Sequence, residues 1–300
     1  MRGSLSDEMA SLKSAHEEFI SHLRERNRAH ATILAYGKDI DQLIEFLQEL
    51  KHANISDITS DDIQAFLAKL LKNGYTPKSV SRKTNAVKTF FRFLKVNEYI
   101  ADDPAALVSH PKFETKAPRI LNEMEYRALR DAVSGDARTY AVVELLLQTG
   151  LRIGELARLR LEDIKLGTGN KDGELTVCPF NRHECRIIPL NQKAQKALRA
   201  YLEIRPKSAR SKNLFITRTG KPLMVRNIRA TIMRYYDIAG IENASINALR
   251  HTFIAHHLKR GASLVLVSKV AGHKRISTTE KYLDYINVDA KQEKMELAEL

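Results

Sequence analysis

The sequence lacks any apolar run approaching the roughly 20 residues that a membrane-spanning helix requires. The longest runs, such as residues 141–147, are interrupted by a charged side chain, here Glu144. No segment with the character of a secretory leader precedes the first predicted helix. We therefore expect a cytoplasmic protein without a membrane partner.

Cysteine is also scarce, because the 300 residues contain only Cys178 and Cys185. Two cysteines cannot build the disulfide framework of a small secreted domain. We expect both thiols to be reduced and to flank the turn of a β-hairpin. A zinc site that used them with His183 would still lack a fourth ligand. We expect no metal and no cofactor.

Acidic residues are too few to balance the basic ones, and the formal net charge is +13. Such an excess favours a polyanionic partner, for which an acidic lipid surface is the alternative and nucleic acid the better candidate. The hydrophobic content of 43% allows a packed core. The length suits about two domains.

The segment 78–95 contains no acidic residue and has the spacing of one amphipathic helix. At about 100° per residue, its apolar positions occupy one arc, with Lys83 at the edge. The opposite arc is basic and consists of Lys78, Arg82, Lys88, Arg92 and Lys95. An ordinary solvated face is the alternative, but a face of one sign in a basic chain favours contact with DNA phosphates.

The order of predicted elements indicates two domains. Residues 1–110 carry helical periodicity only, and the proline-containing stretch 111–120 is a linker. Residues 121–286 combine helices with a β-hairpin around 181–184, so this domain is predicted to be mainly α with a small β-sheet. Asn122 and Glu125 predict a capping box at its first helix. Residues 287–300 form a tail suited to contacts between subunits.

The candidate functional residues are concentrated near the C-terminus. Arg250 lies in a predicted buried helix start, His273 follows the glycine that ends the next helix, and Tyr282 follows shortly after. Arg152 lies upstream in TGLRIGEL. Two arginines match the two non-bridging oxygens of one phosphate, and a phenol can attack it. Glu155 either orients a guanidinium or forms an i,i+3 ion pair with Arg152.

The motifs TGLRIGEL, RIIPL, ALRHTFIAHHL and AGHKRISTTEKY resemble those of the tyrosine recombinases, the phage-integrase and Xer group. The resemblance runs from about residue 32 to 286. It implies an all-α core-binding (SAM-like) domain and an α+β catalytic domain, arranged as a C-shaped clamp around DNA. It also implies a nucleoid-associated homotetramer on two copies of a specific DNA site. Strands would exchange through a 3′-phosphotyrosyl intermediate and a Holliday junction; no accessory factor is predicted.

Within this resemblance the catalytic residues are Tyr282 as the nucleophile with Arg152, Arg250 and His273. Tyr285 is the competing tyrosine. Tyr282 is preferred because it lies nine residues after His273. It also follows Ser277, which is predicted to cap a final helix whose positive end would stabilise the phenolate.

Two positions depart from the family pattern. Asn247 stands where the family usually has histidine, and Asn181 stands where it usually has a lysine in the hairpin turn. Asparagine cannot carry a proton near neutral pH. The candidates for the general acid are therefore Arg182, His183 and Lys171. The alternative is that all three are exposed residues without a catalytic role.

These departures leave two other functions open. One is a recombinase-like DNA-binding protein whose catalysis has decayed. The other is a type IB topoisomerase, which shares the phosphotyrosine chemistry. The helical amino-terminal domain favours a recombinase.

Overall fold

The computed structural model describes residues 5–50, 55–114, 116–179, 185–207 and 210–286, with side chains described from residue 12 onward. The chain divides into two compact units between residues 115 and 116. Among the described helices, none combines the length and the apolar character needed to cross a membrane.

The described part of the first unit is helical. Its elements are α1 (Leu5–Glu25), α2 (His30–Glu49), α3 (Ser60–Lys72) and α4 (Pro77–Val96). Aromatic side chains fill the core, and Phe19 meets Phe90 edge to face with 5.3 Å between ring centroids. Thr59 and Asp62 form a capping box at α3, and Thr76 caps α4 just before Pro77. The expected all-α domain is confirmed.

A buried carboxylate joins α2 to α4. Asp39 is 2% exposed and accepts hydrogen bonds from Arg82 at 2.5 and 2.9 Å and from Lys83 at 2.7 Å. Lys83 also donates to the amide oxygen of Gln42 at 2.6 Å and is itself buried. The basic arc of α4 is therefore not uniformly available, since Arg82 is paired with Asp39.

The second unit is mainly helical with one small sheet, as expected. Its helices are α5 (Glu123–Val133), α6 (Ala137–Thr149), α7 (Ile153–Arg158), α8 (Gln192–Ile204), α9 (Val225–Ile238), α10 (Asn247–Lys259), α11 (Leu264–Ala271) and α12 (Ser277–Glu280). The antiparallel strands are β1 (Ile164–Lys165), β2 (Gly173–Val177) and β3 (Arg186–Leu190), in that spatial order. α7 ends at Arg158, and a 3₁₀ turn follows at Leu161–Asp163.

α6 is the central helix of this unit. Its residues are buried on nearly every side, and it packs against α8 and α10. Ahead of it, Asn122 and Glu125 form the predicted capping box of α5, each side chain accepting from the other residue's backbone N–H. The burial of α6 fixes the position of the turn at its C-terminal end, where the candidate site begins.

The two cysteines flank the turn of a β-hairpin as predicted, but the prediction that they are reduced was wrong, because the structure joins Cys178 to Cys185 in a disulfide. The antiparallel register pairs Val177 with Arg186. Cys178 follows Val177 and Cys185 precedes Arg186, so the two cysteines lie opposite each other, with Cα atoms 4.1 Å apart. A count of cysteines carries no information about such a register. The disulfide closes the hairpin around residues 180–184, which lie outside the described part of the chain.

Candidate active site

Gly150 forms the turn that places the first arginine. It ends α6 with a φ of 62°, and a Cβ at this position would come within 2.3 Å of the Phe253 ring. Glycine is therefore required both for the left-handed conformation and for the close packing. Arg152 follows two residues later as the N-cap of α7. Its side chain remains 46% exposed, so one face of the guanidinium is accessible.

Glu155 organises the guanidinium groups around it. Its carboxylate accepts from the backbone N–H of Arg152 at 2.8 Å and from the Arg152 side chain at 3.2 Å. Both interpretations of this residue are therefore correct: it is an i,i+3 partner and it orients the guanidinium. Burial alone would raise the pKa of Glu155, but hydrogen bonds from Arg186 and from the Arg152 backbone outweigh it and lower the pKa.

Arg186 connects the sheet to the end of α11. It donates to both oxygens of Glu155 at 3.0 Å and to the carbonyl of Val270 at 2.8 Å. Gly272 ends α11 with a φ of 69°, and a Cβ there would lie 2.8 Å from the Arg186 guanidinium carbon. The carbonyl of Gly272 accepts from Arg152 at 2.9 Å. These contacts bring the start of α7, β3 and the end of α11 together.

Arg250 is held in the first turn of α10 and is 6% exposed, which confirms the predicted buried helix start. Its Nη1 donates to the carbonyl of Gly150 at 2.6 Å. Its Nη2 is buried and has no hydrogen-bond partner among the described residues. Burial, followed by the charge of Arg152, lowers the pKa of Arg250 to about 10. A buried guanidinium with an unused donor is a site for an anion.

His273 follows Gly272 and is half-buried beside these cations. Its Nδ1 lies 2.7 Å from the hydroxyl oxygen of Thr279, which is itself fully buried. Burial and the neighbouring guanidinium groups, Arg250 first, lower the pKa of His273 to about 4. The ring is thus neutral at neutral pH. An imidazole whose Nδ1 is engaged in this way leaves Nε2 for another partner.

Tyr282 is 7% exposed, and its hydroxyl oxygen lies 2.6 Å from Nδ1 of His251. The predicted stabilisation by a helix end was wrong. α12 ends at Glu280, Tyr282 lies beyond it, and the N-cap is Ile276 without a side-chain hydrogen bond rather than Ser277. Burial raises the pKa of Tyr282, although the charges of Arg250 and Arg152 oppose this effect.

Tyr285 lies in a different environment from Tyr282. It belongs to the 3₁₀ turn Leu283–Tyr285 and is 39% exposed. The next residue, Ile286, is 4% exposed and belongs to the apolar cluster that includes Tyr282 and Phe253. Tyr282 is therefore the buried tyrosine of the pair, and its phenol lies in the field of the two arginines.

The site therefore consists of three guanidinium groups around one carboxylate, a neutral imidazole and a buried phenol. The phage integrase family profile matches residues 114–287, and the profile of the phage integrase N-terminal SAM-like domain matches residues 16–98. A tyrosine recombinase XerC from Roseiflexus castenholzii is 32% identical over 278 residues, which cover 89% of this chain and 87% of the relative. The chain belongs to the phage integrase family.

Solved structures agree with this recombinase in fold. A XerH site-specific recombinase bound to a palindromic difH substrate has a TM-score of 0.74 at 19% identity, over 89% of this chain and 82% of that one. A λ integrase tetramer bound to a Holliday junction has a TM-score of 0.72 at 20% identity, over 96% of this chain and 80% of that one. The activity of this tyrosine recombinase is site-specific recombination.

The two asparagines that depart from the family pattern and the candidate general acids are only partly described in this recombinase. Asn181, Arg182 and His183 lie outside the described residues. Lys171 is exposed and precedes β2, whose other end leads into the hairpin turn. The five residues of β2 span about 13 to 17 Å. Lys171 therefore lies near the end of β2 that is farther from the hairpin turn. Asn247 is exposed in the first turn of α10, on the face that Arg250 and His251 share one turn later.

Sequence reasoning missed two side chains of the recombinase site. Arg186 begins the RIIPL motif and was assigned no role of its own, although its charge next to a hairpin was a visible signal. His251 directly follows Arg250 in the sequence, but nothing in its spacing indicated the contact with Tyr282. Both contacts join segments 31 residues apart in the chain.

The predicted DNA-binding side chains of α4 differ in their surroundings. Arg82 binds Asp39, Lys88 donates to the carbonyl of Ala106 at 3.0 Å, and Lys95 lies 3.4 Å from Asp102. Lys78 and Arg92 are exposed, and no ion pair to another described residue is found for them. Fourteen residues apart on one helix, these two point to nearly the same side.

Proposed function

We propose that this recombinase cleaves one strand of a specific DNA site by attack of Tyr282 on a phosphodiester held by Arg152, Arg250 and His273. The attack gives a 3′-phosphotyrosyl bond and a free 5′ hydroxyl. That hydroxyl, on a partner strand, then reverses the reaction. The covalent intermediate retains the energy of the broken bond, so strand exchange through a Holliday junction needs no nucleotide hydrolysis.

The observation that carries this proposal is the unused Nη2 of Arg250, buried beside Arg152 and Tyr282. A phosphate oxygen supplies the missing acceptor. Two fixed guanidinium groups then stabilise the extra negative charge of the pentacoordinate transition state. Glu155 and Arg186 position Arg152, and the free Nε2 of His273 is available to a further phosphate oxygen.

A homo-oligomer, with a tetramer on two DNA sites as its active form, fits both the λ integrase tetramer of similar fold and a surface of the catalytic unit. A cleft of about 1130 Å³ lies between α10, α11 and β3, with Phe253, Val267 and Val270 among its lining residues. The tail 287–300, outside the described residues, carries apolar residues suited to such a cleft on a neighbouring subunit. Truncation after Asp289 should spare binding to a single site and impair pairing of two sites.

Covalent trapping tests the nucleophile directly. On a DNA substrate with a nick near the cleavage point, the parent should accumulate a protein–DNA adduct. Tyr282→Phe should bind the DNA as well as the parent and form no adduct, whereas Tyr285→Phe should still form one. An adduct peptide that contains Tyr285, or an adduct formed by Tyr282→Phe, would contradict the assignment. No adduct with any substrate would favour a DNA-binding protein with decayed catalysis, and sequence-independent relaxation of supercoils would favour a topoisomerase.

A further inference from the structure

The hydroxyl of Tyr282 is in direct contact with a second histidine, His251. The distance from Nδ1 to the phenolic oxygen is 2.6 Å, and the two ring centroids are 5.8 Å apart. Because Tyr282 is 7% exposed, bulk water has little access to this hydroxyl. The imidazole is therefore placed to receive the proton that the phenol must lose.

We propose that His251 is the general base that takes the proton of Tyr282 during cleavage and returns it during rejoining. This inference rests on the proposed function of Tyr282 as the nucleophile. His251 is then a catalytic residue, since it touches the reacting oxygen. Its ring carries the proton on Nε2 before the reaction, which leaves the lone pair of Nδ1 directed at the phenol.

The electrostatic environment supports this division of roles. Burial, with the adjacent charge of Arg250, lowers the pKa of His251, so the ring is neutral and able to accept a proton at neutral pH. Burial raises the pKa of Tyr282, so the phenol is protonated and needs a base. The groups that interact with His251 are Arg250 on α10, Tyr282 after α12 and His273 after α11.

Other candidates for the base are less well placed. Nδ1 of His273 is engaged with Thr279, and its ring stacks at 6.5 Å from that of Tyr282 instead of making a hydrogen bond to the hydroxyl. Asn247 presents an amide, which does not take a proton near neutral pH. Of the described imidazoles, His251 has the contact that proton transfer requires.

The proton and bond changes balance without another reactant. On cleavage the O–H bond of Tyr282 breaks, and its proton bonds to Nδ1 of His251. The phenolic oxygen bonds to phosphorus as the bond from phosphorus to the 5′ oxygen breaks, and a separate general acid protonates that oxygen. On rejoining, the 5′ hydroxyl returns its proton to the conjugate base of that acid as its oxygen bonds to phosphorus. The bond from phosphorus to the tyrosine oxygen breaks, and the imidazolium returns its proton to that oxygen.

The variant His251→Gln tests the proposal on a nicked substrate under single-turnover conditions. It keeps a polar side chain but cannot take a proton. We expect the cleavage rate to fall by about 10²- to 10⁴-fold, with unchanged DNA affinity and melting temperature. The parent rate should fall at low pH as His251 becomes protonated, whereas the rate of the variant should rise with pH as the phenol itself ionises.

Two comparisons separate a base from other roles. His256→Gln, an exposed histidine on the same helix, should cleave like the parent. A 5′-bridging phosphorothiolate, whose leaving group needs no proton, should fail to restore His251→Gln, because the defect lies on the nucleophile. Restoration by that substrate would make His251 an acid and overturn the proposal. Cleavage by His251→Gln at the parent rate would also overturn it.

The parent protein provides a test that does not depend on how a variant folds. Nitrogen chemical shifts of His251 at pH 7 should show a neutral ring with the proton on Nε2, and a doubly protonated ring would overturn the proposal. Tyr282→Phe distinguishes a failure of the proposed nucleophile from a failure of the proposed base. If that variant still forms the adduct, the proposed function fails; if it forms none while His251→Gln is fully active, only the base is wrong.

Discussion

Arg186 binds both carboxylate oxygens of Glu155, and each nitrogen–oxygen distance is 3.0 Å. The same carboxylate accepts from the backbone and side chain of Arg152. Arg186 thus acts through Glu155 on Arg152, the arginine that we propose to bind phosphate, and it is a positioning residue. A planar guanidinium is needed here, because a lysine cannot span two oxygens in this way.

The packing of Gly272 against Arg186 gives the first prediction. Gly272→Ala forces an alanine into a φ of 69° and places a Cβ 2.8 Å from the Arg186 guanidinium. We expect a loss of about 1 to 3 kcal/mol in the free energy of unfolding and slower cleavage, because Arg186 must move away from Glu155. Urea unfolding and single-turnover cleavage measure the two effects.

Gly261→Ala is the matched control for this substitution. Gly261 has a φ of 81°, but no atom lies within 4 Å of the point that an added Cβ would occupy, so only the backbone cost applies. It should lose stability without a specific loss of cleavage. Equal cleavage by both alanine variants would show that Arg186 does not position the site.

A second prediction concerns the protonation of His273. Its folded-state pKa of about 4 lies below the ordinary value of 6.5, so the unfolded chain binds the proton more readily between these two pH values. The free energy of unfolding should therefore decrease as the pH falls from about 6.5 to 4. Carbon chemical shifts of the ring should show titration near pH 4 in the DNA-free protein.

Binding of DNA should change this titration. A phosphate near Nε2 of His273 adds negative charge beside the cations that lower its pKa, so the pKa should rise when DNA is added. Proton uptake on binding, measured by calorimetry in buffers of different ionisation enthalpy, follows from the same shift. A titration midpoint unaffected by DNA would place the phosphate elsewhere.

The third prediction separates the two kinds of basic residue on α4. Lys78→Ala with Arg92→Ala should weaken binding to all DNA sequences and reduce the slope of log affinity against log salt by about one unit per lost phosphate contact. Arg82→Ala should mainly destabilise the first unit, because Arg82 binds the buried Asp39. An unchanged salt slope in the double variant would remove this face of α4 from the DNA interface.

The fourth prediction concerns the disulfide between Cys178 and Cys185. Closing the short loop between them restricts the unfolded chain, which corresponds to about 2 kcal/mol in the chain-entropy description. Dithiothreitol should lower the free energy of unfolding of the parent by about this amount. It should have no effect on the Cys178→Ser/Cys185→Ser double variant, which is the matched control. Equal behaviour of both proteins would mean that the thiols are reduced in solution.

Local signals in the sequence were sufficient for several helix starts and ends. The Asn122–Glu125 capping box, the amphipathic pattern of α4 and the glycine after α11 each depend on neighbours within a few residues. Local hydrogen bonding and side-chain spacing determine such features, so they can be predicted without a fold. The burial of Arg250 followed from its apolar neighbours in the same way.

Only the tertiary structure decided which side chains meet. The contacts of His251 with Tyr282, Arg186 with Glu155 and Arg82 with Asp39 join residues that are 31 to 43 positions apart. The disulfide depends on a strand register that the cysteine count does not contain. Helical or strand periodicity gives the face on which a residue lies but not the element packed against that face. For that reason the surroundings of Tyr282 could not be predicted from the sequence, since they depend on burial by distant segments.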